Sequence, residues 1–241
     1  MSVEVIAAEG AFRGKVFIAG YHGFGLVGYL TVRHIIGALG GRKVGYVISP
    51  HMPQIVNMGP DGLVAPYELY DVGPAVVFLP NVPLPRGDMI RVPYKLAEAS
   101  ISGGSRAALL IGGLDASYRR GDSALRYAAT RPFLRQYGEL VRGLVPLEEG
   151  LSVVGPLAAM LAYYEAHDFP SVAILPYADP SSADPLAAKA AVEFVAQALG
   201  VTIDTSELVR LAEEKVRLER KVEELRKRMR EEGGRIPSFY V

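Results

Sequence analysis

Residues 16–41 constrain the fold of this chain more than any other stretch. Val16-Phe17-Ile18-Ala19 is an apolar run of strand length, glycines punctuate positions 20–28, and helical spacing holds from Leu26 to Leu39 until Gly40-Gly41 ends it. A buried strand, a glycine turn and a helix in this order open an α/β sheet. Within the turn, Gly23-Phe24-Gly25-Leu26-Val27-Gly28 spells GxGxxG, the pattern that lets a pyrophosphate approach backbone amides at a helix N-terminus. A dinucleotide site also needs an acid at the end of the next strand to hold the ribose hydroxyl. That strand, Lys43 to Ser49, runs instead into Pro50-His51-Met52-Pro53. Gly23, Gly25 and Gly28 are therefore expected to be structural, letting the helix pack closely on the first strand, and no cofactor is expected.

Nine of the 17 prolines fall between Pro50 and Pro93, which excludes long helices there. Leu63 to Asp71 alternates enough for a short strand or hairpin arm, and Pro74 to Leu79 is a continuous apolar run that reads as a central strand. A helix is expected over Val92 to Ile101, a third apolar strand over Ala107 to Ile111, a strand over Ala124 to Thr130 and a helix over Pro132 to Leu144. Farther on come a helix from Val154-Gly155-Pro156 to His167, a strand from Ser171 to Leu175, and a helix capped by Asp184-Pro185 that closes on Gly200. Strand, helix and strand at this spacing predict an α/β fold with a mostly parallel sheet flanked by helices.

The end of the chain differs. Asp204-Thr205-Ser206-Glu207 is close to a capping box, and Leu208, Leu211, Leu218, Val222, Leu225 and Met229 follow a 3,4 spacing broken where Lys215 takes an apolar slot. Glu213 to Arg217, Glu223 to Lys227 and Glu224 to Arg228 are spaced for i,i+4 ion pairs. A helix over 207–232 would be a rod of roughly 39 Å. Its narrow seam suits either packing on the chain's own body or a projecting helix or short coiled coil between subunits. The expected division is an α/β domain over 1–203, this helix over 204–232, and a tail over 233–241. Gly233-Gly234 makes a joint, Pro237 a stiff step, and the chain finishes Phe239-Tyr240-Val241. Two aromatic side chains beside a free carboxylate would make a compact ligand for an apolar pocket with a basic group or an amide nest, the alternative being a frayed terminus with its aromatics tucked on the surface.

Composition narrows the function classes. The 26 basic residues equal the 26 acidic ones, so no net field draws in nucleic acid, and acids interleave the bases of the final helix. Cysteine is absent, which removes thiolate metal sites and disulfides. No apolar run has the length of a membrane span, so a cytoplasmic protein is expected. Few Asn and Gln beside many Pro is thermophile usage. The four histidines, His22, His34, His51 and His167, stand at no metal-ligand spacing, and the carboxylates Asp61, Glu68, Asp71, Asp88 and Asp115 are scattered through loops. Neither a nucleophile elbow nor a Walker sequence occurs.

Gly20-Tyr21-His22-Gly23-Phe24-Gly25-Leu26-Val27-Gly28, Val154-Gly155-Pro156-Leu157, and Asp184-Pro185-Leu186-Ala187-Ala188-Lys189-Ala190 followed by Leu199-Gly200-Val201 resemble the archaeal proteasome assembly chaperone family. The resemblance covers roughly residues 10–203. It implies a nucleoside-phosphorylase-like α/β body without known catalysis, and a homo-oligomer. Some archaeal relatives end in the hydrophobic-tyrosine-any tail that proteasomal ATPases insert between α-subunits of the core particle, and Phe239, Tyr240 and Val241 match that tail one for one. The resemblance thus implies a non-enzymatic assembly chaperone or ATP-independent activator whose partner is the core-particle α-ring. The alternatives are a nucleotide- or nucleoside-using enzyme, since members have carried an ATP-grasp-like ligase label, and an adaptor that docks a protein through its last helix.

Overall fold

The computed structural model describes residues 2–60 and 62–233, without the side chains of residues 226 and 228–233. Strand β1 (Glu4–Ala7) lies at one sheet edge, and β2 (Val16–Gly20) lies at the centre, where every residue is buried. After the glycine turn, α1 (Val27–Ala38) leads to β3 (Arg42–Ile48), then to a separate hairpin of β4 (Asn57–Gly59) and β5 (Gly62–Val64). The chain re-enters the main sheet with β6 (Tyr67–Asp71) and β7 (Ala75–Pro80), so the single expected strand from Leu63 to Asp71 is two, broken at Ala65-Pro66. Proline has no N–H to donate to a ladder.

Helix α2 (Arg91–Ser102) precedes β8 (Ala107–Ile111), β9 (Leu114–Asp115) and β10 (Leu125–Ala129). The helix expected from Pro132 to Leu144 is shorter. It is α3 (Arg131–Tyr137), capped by the Thr130 side chain, and it tightens into a 3-10 turn over Gly138–Val141. Next come β11 (Val145–Pro146), α4 (Pro156–Ala166), β12 (Ser171–Ala178) and α5 (Pro185–Leu199). Asp184 accepts from the Ala187 N–H at 3.0 Å, Pro185 occupies the first helical position, and Gly200 closes α5 at φ 68°. These local signals work as their chemistry requires. The last helix is α6 (Ser206–Gly233).

Ten strands form the main sheet, β1-β3-β6-β7-β2-β8-β12-β10-β11 in order, with β9 alongside β12. Its centre, β7-β2-β8-β12, is parallel. Toward the edges, β6 pairs antiparallel with β7 and β3, β1 with β3, and β10 with β12. The expectation of a mostly parallel sheet therefore holds only for the centre, and the sheet is mixed. β3 does run in the same direction as β2, as a crossover helix demands, but the β6–β7 hairpin fills the space between them. Alternate residues of the central strands serve opposite faces. Val16, Ile18, Val77, Leu109 and Ile174 pack under α1 and α5, whereas Phe17, Phe78, Leu110 and Ala173 pack under α2 and α4. Burial on both sides explains why these strands read as unbroken apolar runs.

One charge is built into this interior. Glu68 is fully buried on β6 and accepts from Tyr70 Oη at 2.7 Å, Asn81 Nδ2 at 3.0 Å and the Ala65 N–H at 3.0 Å, with Lys43 Nζ 2.6 Å away. Burial alone would raise its pKa, but the hydrogen bonds, led by that from Lys43, outweigh it and hold the carboxyl below its usual range. The carboxylate therefore adds stability above the unfolded-state pKa, and this is lost as pH falls through the lower folded value. Glu68→Gln is expected to cost about 2–3 kcal/mol at neutral pH by leaving Lys43 without its acid. It should also flatten the acid limb of the stability-versus-pH curve. Urea titrations from pH 7 to pH 3 measure both, and an unchanged acid limb would refute the assignment.

Candidate functional site

Phe239, Tyr240 and Val241, the residues expected to bind a partner, lie outside the described residues. What the structure describes is the element that carries them. At the start of α6, Asp204 Oδ1 accepts from the Ser206 N–H at 2.9 Å, and His34 of α1 lies 2.7 Å from the Asp204 carbonyl oxygen through Nε2. Leu208, 2% exposed, and Leu211 then pack into the core beside α5. The 3,4 seam thus starts as part of the body. Lys215 fills its slot by reaching Asp179 Oδ2 at 3.7 Å, in the loop between β12 and α5. Past this point the seam is open to solvent: Leu218 is 63% exposed, Val222 40% and Leu225 55%. Two turns of α6 thus dock on the body, and the rest extends about 27 Å beyond Lys215 at 1.5 Å per residue.

The same end of the sheet, at the carboxyl ends of the parallel strands, holds a crevice. The loop after β2 leads to α1 on one face, and the chain after β8 leads by way of α4 to the other, which makes β2–β8 a topological switch point. The crevice has a volume of about 370 Å³, with Tyr21, Phe24, Gly113, Met89, Val154 and Leu157 on its walls. Tyr21 donates to Met160 Sδ at 3.2 Å, and burial raises its pKa. His22 stacks on Tyr29 with ring centroids 4.5 Å apart, and burial lowers its pKa. Among the described residues, none of the lining side chains is Lys, Arg, Asp or Glu. Such walls suit an uncharged apolar group and offer no counter-charge to a phosphate.

The glycines of the turn act by geometry. A Cβ on Gly28 would lie 2.6 Å from the Ile111 carbonyl oxygen and the Tyr21 amide nitrogen, so α1 approaches β2 and β8 backbone to backbone. Gly25 takes φ 61°, where L residues are strained, and its carbonyl accepts from the Asp184 N–H at 2.8 Å. The expectation that all three glycines serve packing is corrected at Gly23, whose Cβ would meet nothing within 4 Å. Sequence reasoning also missed Gly20, where a Cβ would collide with the Gly28 carbonyl. That second close approach involves a residue eight positions away and follows from no motif. Among the described residues no three His, Asp or Glu side chains converge as a metal site, and no helix is long and apolar enough to cross a membrane.

Comparison with known proteins places this geometry. The family model described as the PAC2 family matches residues 17–226. Among solved structures, the chain is similar to Pyrococcus furiosus PbaA, an archaeal homolog of proteasome-assembly chaperone, with 20% identity, all of both chains covered and a TM-score of 0.84. It is also similar to Pyrococcus furiosus PbaB, an archaeal proteasome activator, with 24% identity, 92% of this chain and 99% of that one covered, and a TM-score of 0.78. A Thermoplasma acidophilum protein with unknown function shares 19% identity over 92% of this chain and 93% of its own, with a TM-score of 0.70. Among curated proteins, no significant match is found.

Proposed function

We propose a function from one premise: this chain belongs to the PAC2 family. It acts as a non-enzymatic proteasome assembly chaperone or ATP-independent activator, in the cytoplasm of a thermophilic archaeon, and it binds the α-ring of the core particle through Phe239, Tyr240 and Val241. The likeness to PbaA over the whole chain and to PbaB over 92% of it supports this reading. The body is nucleoside-phosphorylase-like in this proposal and serves as a scaffold, consistent with a crevice whose walls lack ionised side chains. Native mass spectrometry of the full chain, alone and with archaeal core particle, tests it. A complex with a defined number of chains per α-ring is expected, and the absence of any complex at micromolar concentrations would refute the reading.

The proposal includes a homo-oligomer. Support comes from apolar side chains left in solvent, at Val56, Met58 and Leu63 around the β4–β5 hairpin and at Leu218, Val222 and Leu225 along α6. Weak contacts by single tails gain about 10²- to 10⁴-fold when several are tethered to one body. Leu218→Asp places a charge in the open seam, where the surrounding fold has little to lose. The thermal midpoint of the α/β body is expected to move by no more than about 2 °C, while the sedimentation coefficient falls if α6 pairs between subunits. Cooperative unfolding of the whole protein in this variant would show that the seam belongs to the body after all.

A further inference from the structure

One wall of the crevice at the β2–β8 switch point is a single loop. Five of the lining residues, Leu147, Ser152, Val153, Val154 and Gly155, come from the connection between β11 and α4. That loop is fixed from behind. Arg126 of β10, 3% exposed, donates through Nε to Glu148 Oε1 at 2.8 Å and through Nη2 to the Arg120 carbonyl oxygen at 3.0 Å. The Leu147 N–H donates to the Tyr127 carbonyl at 2.8 Å, and the Leu151 N–H to the Glu148 carbonyl at 3.1 Å. Arg126 and Glu148 thus hold the wall in place, and neither of them lines the crevice. The cavity is built before anything enters it, which spares a ligand the cost of ordering the loop.

Its polar equipment is sparse and unused. His22 lines the crevice, and its Nδ1, shielded from solvent, has no hydrogen-bond partner among the described residues. Burial lowers the pKa of this ring, so at neutral pH it is uncharged and offers one donor and one acceptor. On the same wall α4 begins at Gly155-Pro156 without a side-chain cap, which leaves first-turn N–H groups open to an acceptor. A cavity of about 370 Å³ stands at the lower end of ligand pockets and admits a molecule of roughly 15–20 non-hydrogen atoms. One side chain inserted by a partner protein would leave most of it unfilled. An ion would lose its hydration with no opposite charge to replace it. We propose that this crevice binds a small uncharged molecule, an apolar ring system carrying one carbonyl group whose oxygen is met by His22 and the start of α4. The proposal stands on the body of the protein and is independent of the proteasome reading.

Prodan, an uncharged naphthyl ketone of this size whose emission moves to the blue in apolar surroundings, is the probe, and the full chain is the receptor. Saturable binding of one molecule per chain is expected, with a Kd of about 10–100 µM. Val154 is 72% exposed at the mouth, so Val154→Asp puts a charge there without disturbing the core. This variant, and Met89→Trp, which fills space at the partly exposed opposite wall, should each weaken prodan at least about tenfold, with the thermal midpoint unmoved beyond about 2 °C. His22→Phe preserves a ring against Tyr29 and removes both ring nitrogens. It should weaken prodan about fivefold, yet leave dimethylaminonaphthalene, the same ring system without the carbonyl, within about twofold. Anilinonaphthalene sulfonate, an anion of similar size, should fail to displace prodan. Leu218→Asp, on the bare seam of α6, should leave the prodan Kd within about twofold, which separates the crevice from other exposed apolar surface. Unsaturable binding, loss of the signal in Leu218→Asp, displacement by the anion, or an unchanged Kd in Val154→Asp and Met89→Trp would overturn the proposal. An unchanged prodan Kd in His22→Phe would overturn the assignment of the carbonyl to His22.

Discussion

Removing Phe239, Tyr240 and Val241 is expected to abolish binding to the proteasome core particle and to leave the fold untouched. The described body is complete without these residues, with its sheet covered on both faces and α6 anchored by Leu208 and Leu211. The thermal midpoint should therefore shift by less than about 2 °C. Binding is another matter, because each tail offers two aromatic rings and one carboxylate and little else. If Tyr240→Ala removes about 2 kcal/mol per tail, a typical hot-spot loss, two engaged tails lose nearly a thousandfold together. Val241→Ala keeps the carboxylate and should matter by no more than about threefold. A pull-down with core particle, together with hydrolysis of a fluorogenic peptide, measures both binding and gate opening. A truncated chain that still binds and stimulates as well as the full chain would remove the tail from the mechanism and leave family membership alone to support a proteasome role.

The second large effect lies at the opposite extreme, deep in the body. Gly28→Ala places a methyl group 2.6 Å from the Ile111 carbonyl oxygen and the Tyr21 amide nitrogen, and 2.7 Å from the Tyr21 carbonyl oxygen. Backbone atoms of β8 and of the residue just after β2 cannot move aside as a flexible side chain would. The loss should exceed about 3 kcal/mol, which lowers the thermal midpoint by roughly 6–12 °C in a chain of this size. Gly37→Ala, in the same helix, is the control. Its Cβ would meet nothing within 4 Å, so alanine should stabilise by about 0.5–1 kcal/mol. Thermal melts of both variants separate a general helix-propensity effect from crowding. Neither variant should acquire or lose affinity for NAD or ATP, and a saturable micromolar nucleotide signal abolished by Gly28→Ala would refute the packing role.

These two sites also mark how far the sequence could be read. Asp184-Pro185 and Gly200 delimit α5 because capping is settled within four residues, so the letters and the physics coincide. The neighbours of β3 were not legible. Its direction follows from α1, but its pairing depends on β6 and β7 returning between it and β2, and nothing within residues 42–48 encodes that insertion. The seam of α6 was legible as a period of 3 and 4, yet the same period serves Leu208, which is buried by α5, and Leu218, which is bare. Periodicity specifies a face, and only the tertiary fold decides where along the face the body ends. Gly28 looked like part of a phosphate loop for a similar reason. A phosphate and a neighbouring strand make the same demand on a backbone, and the missing acid after β3 was the discriminating sign.

The way α6 is held makes it a lever. His34, Leu208, Leu211 and the Lys215–Asp179 pair grip its first two to three turns, and about 27 Å of helix stands beyond that grip. A change of one degree in the docking angle displaces the far end by about 0.5 Å, so a ten-degree change moves it by about the width of one side chain. Aim is thus decided at the fulcrum, far from whatever the tip touches. Substitutions of modest size at Leu211, too mild to unfold anything, would re-point the far end of α6.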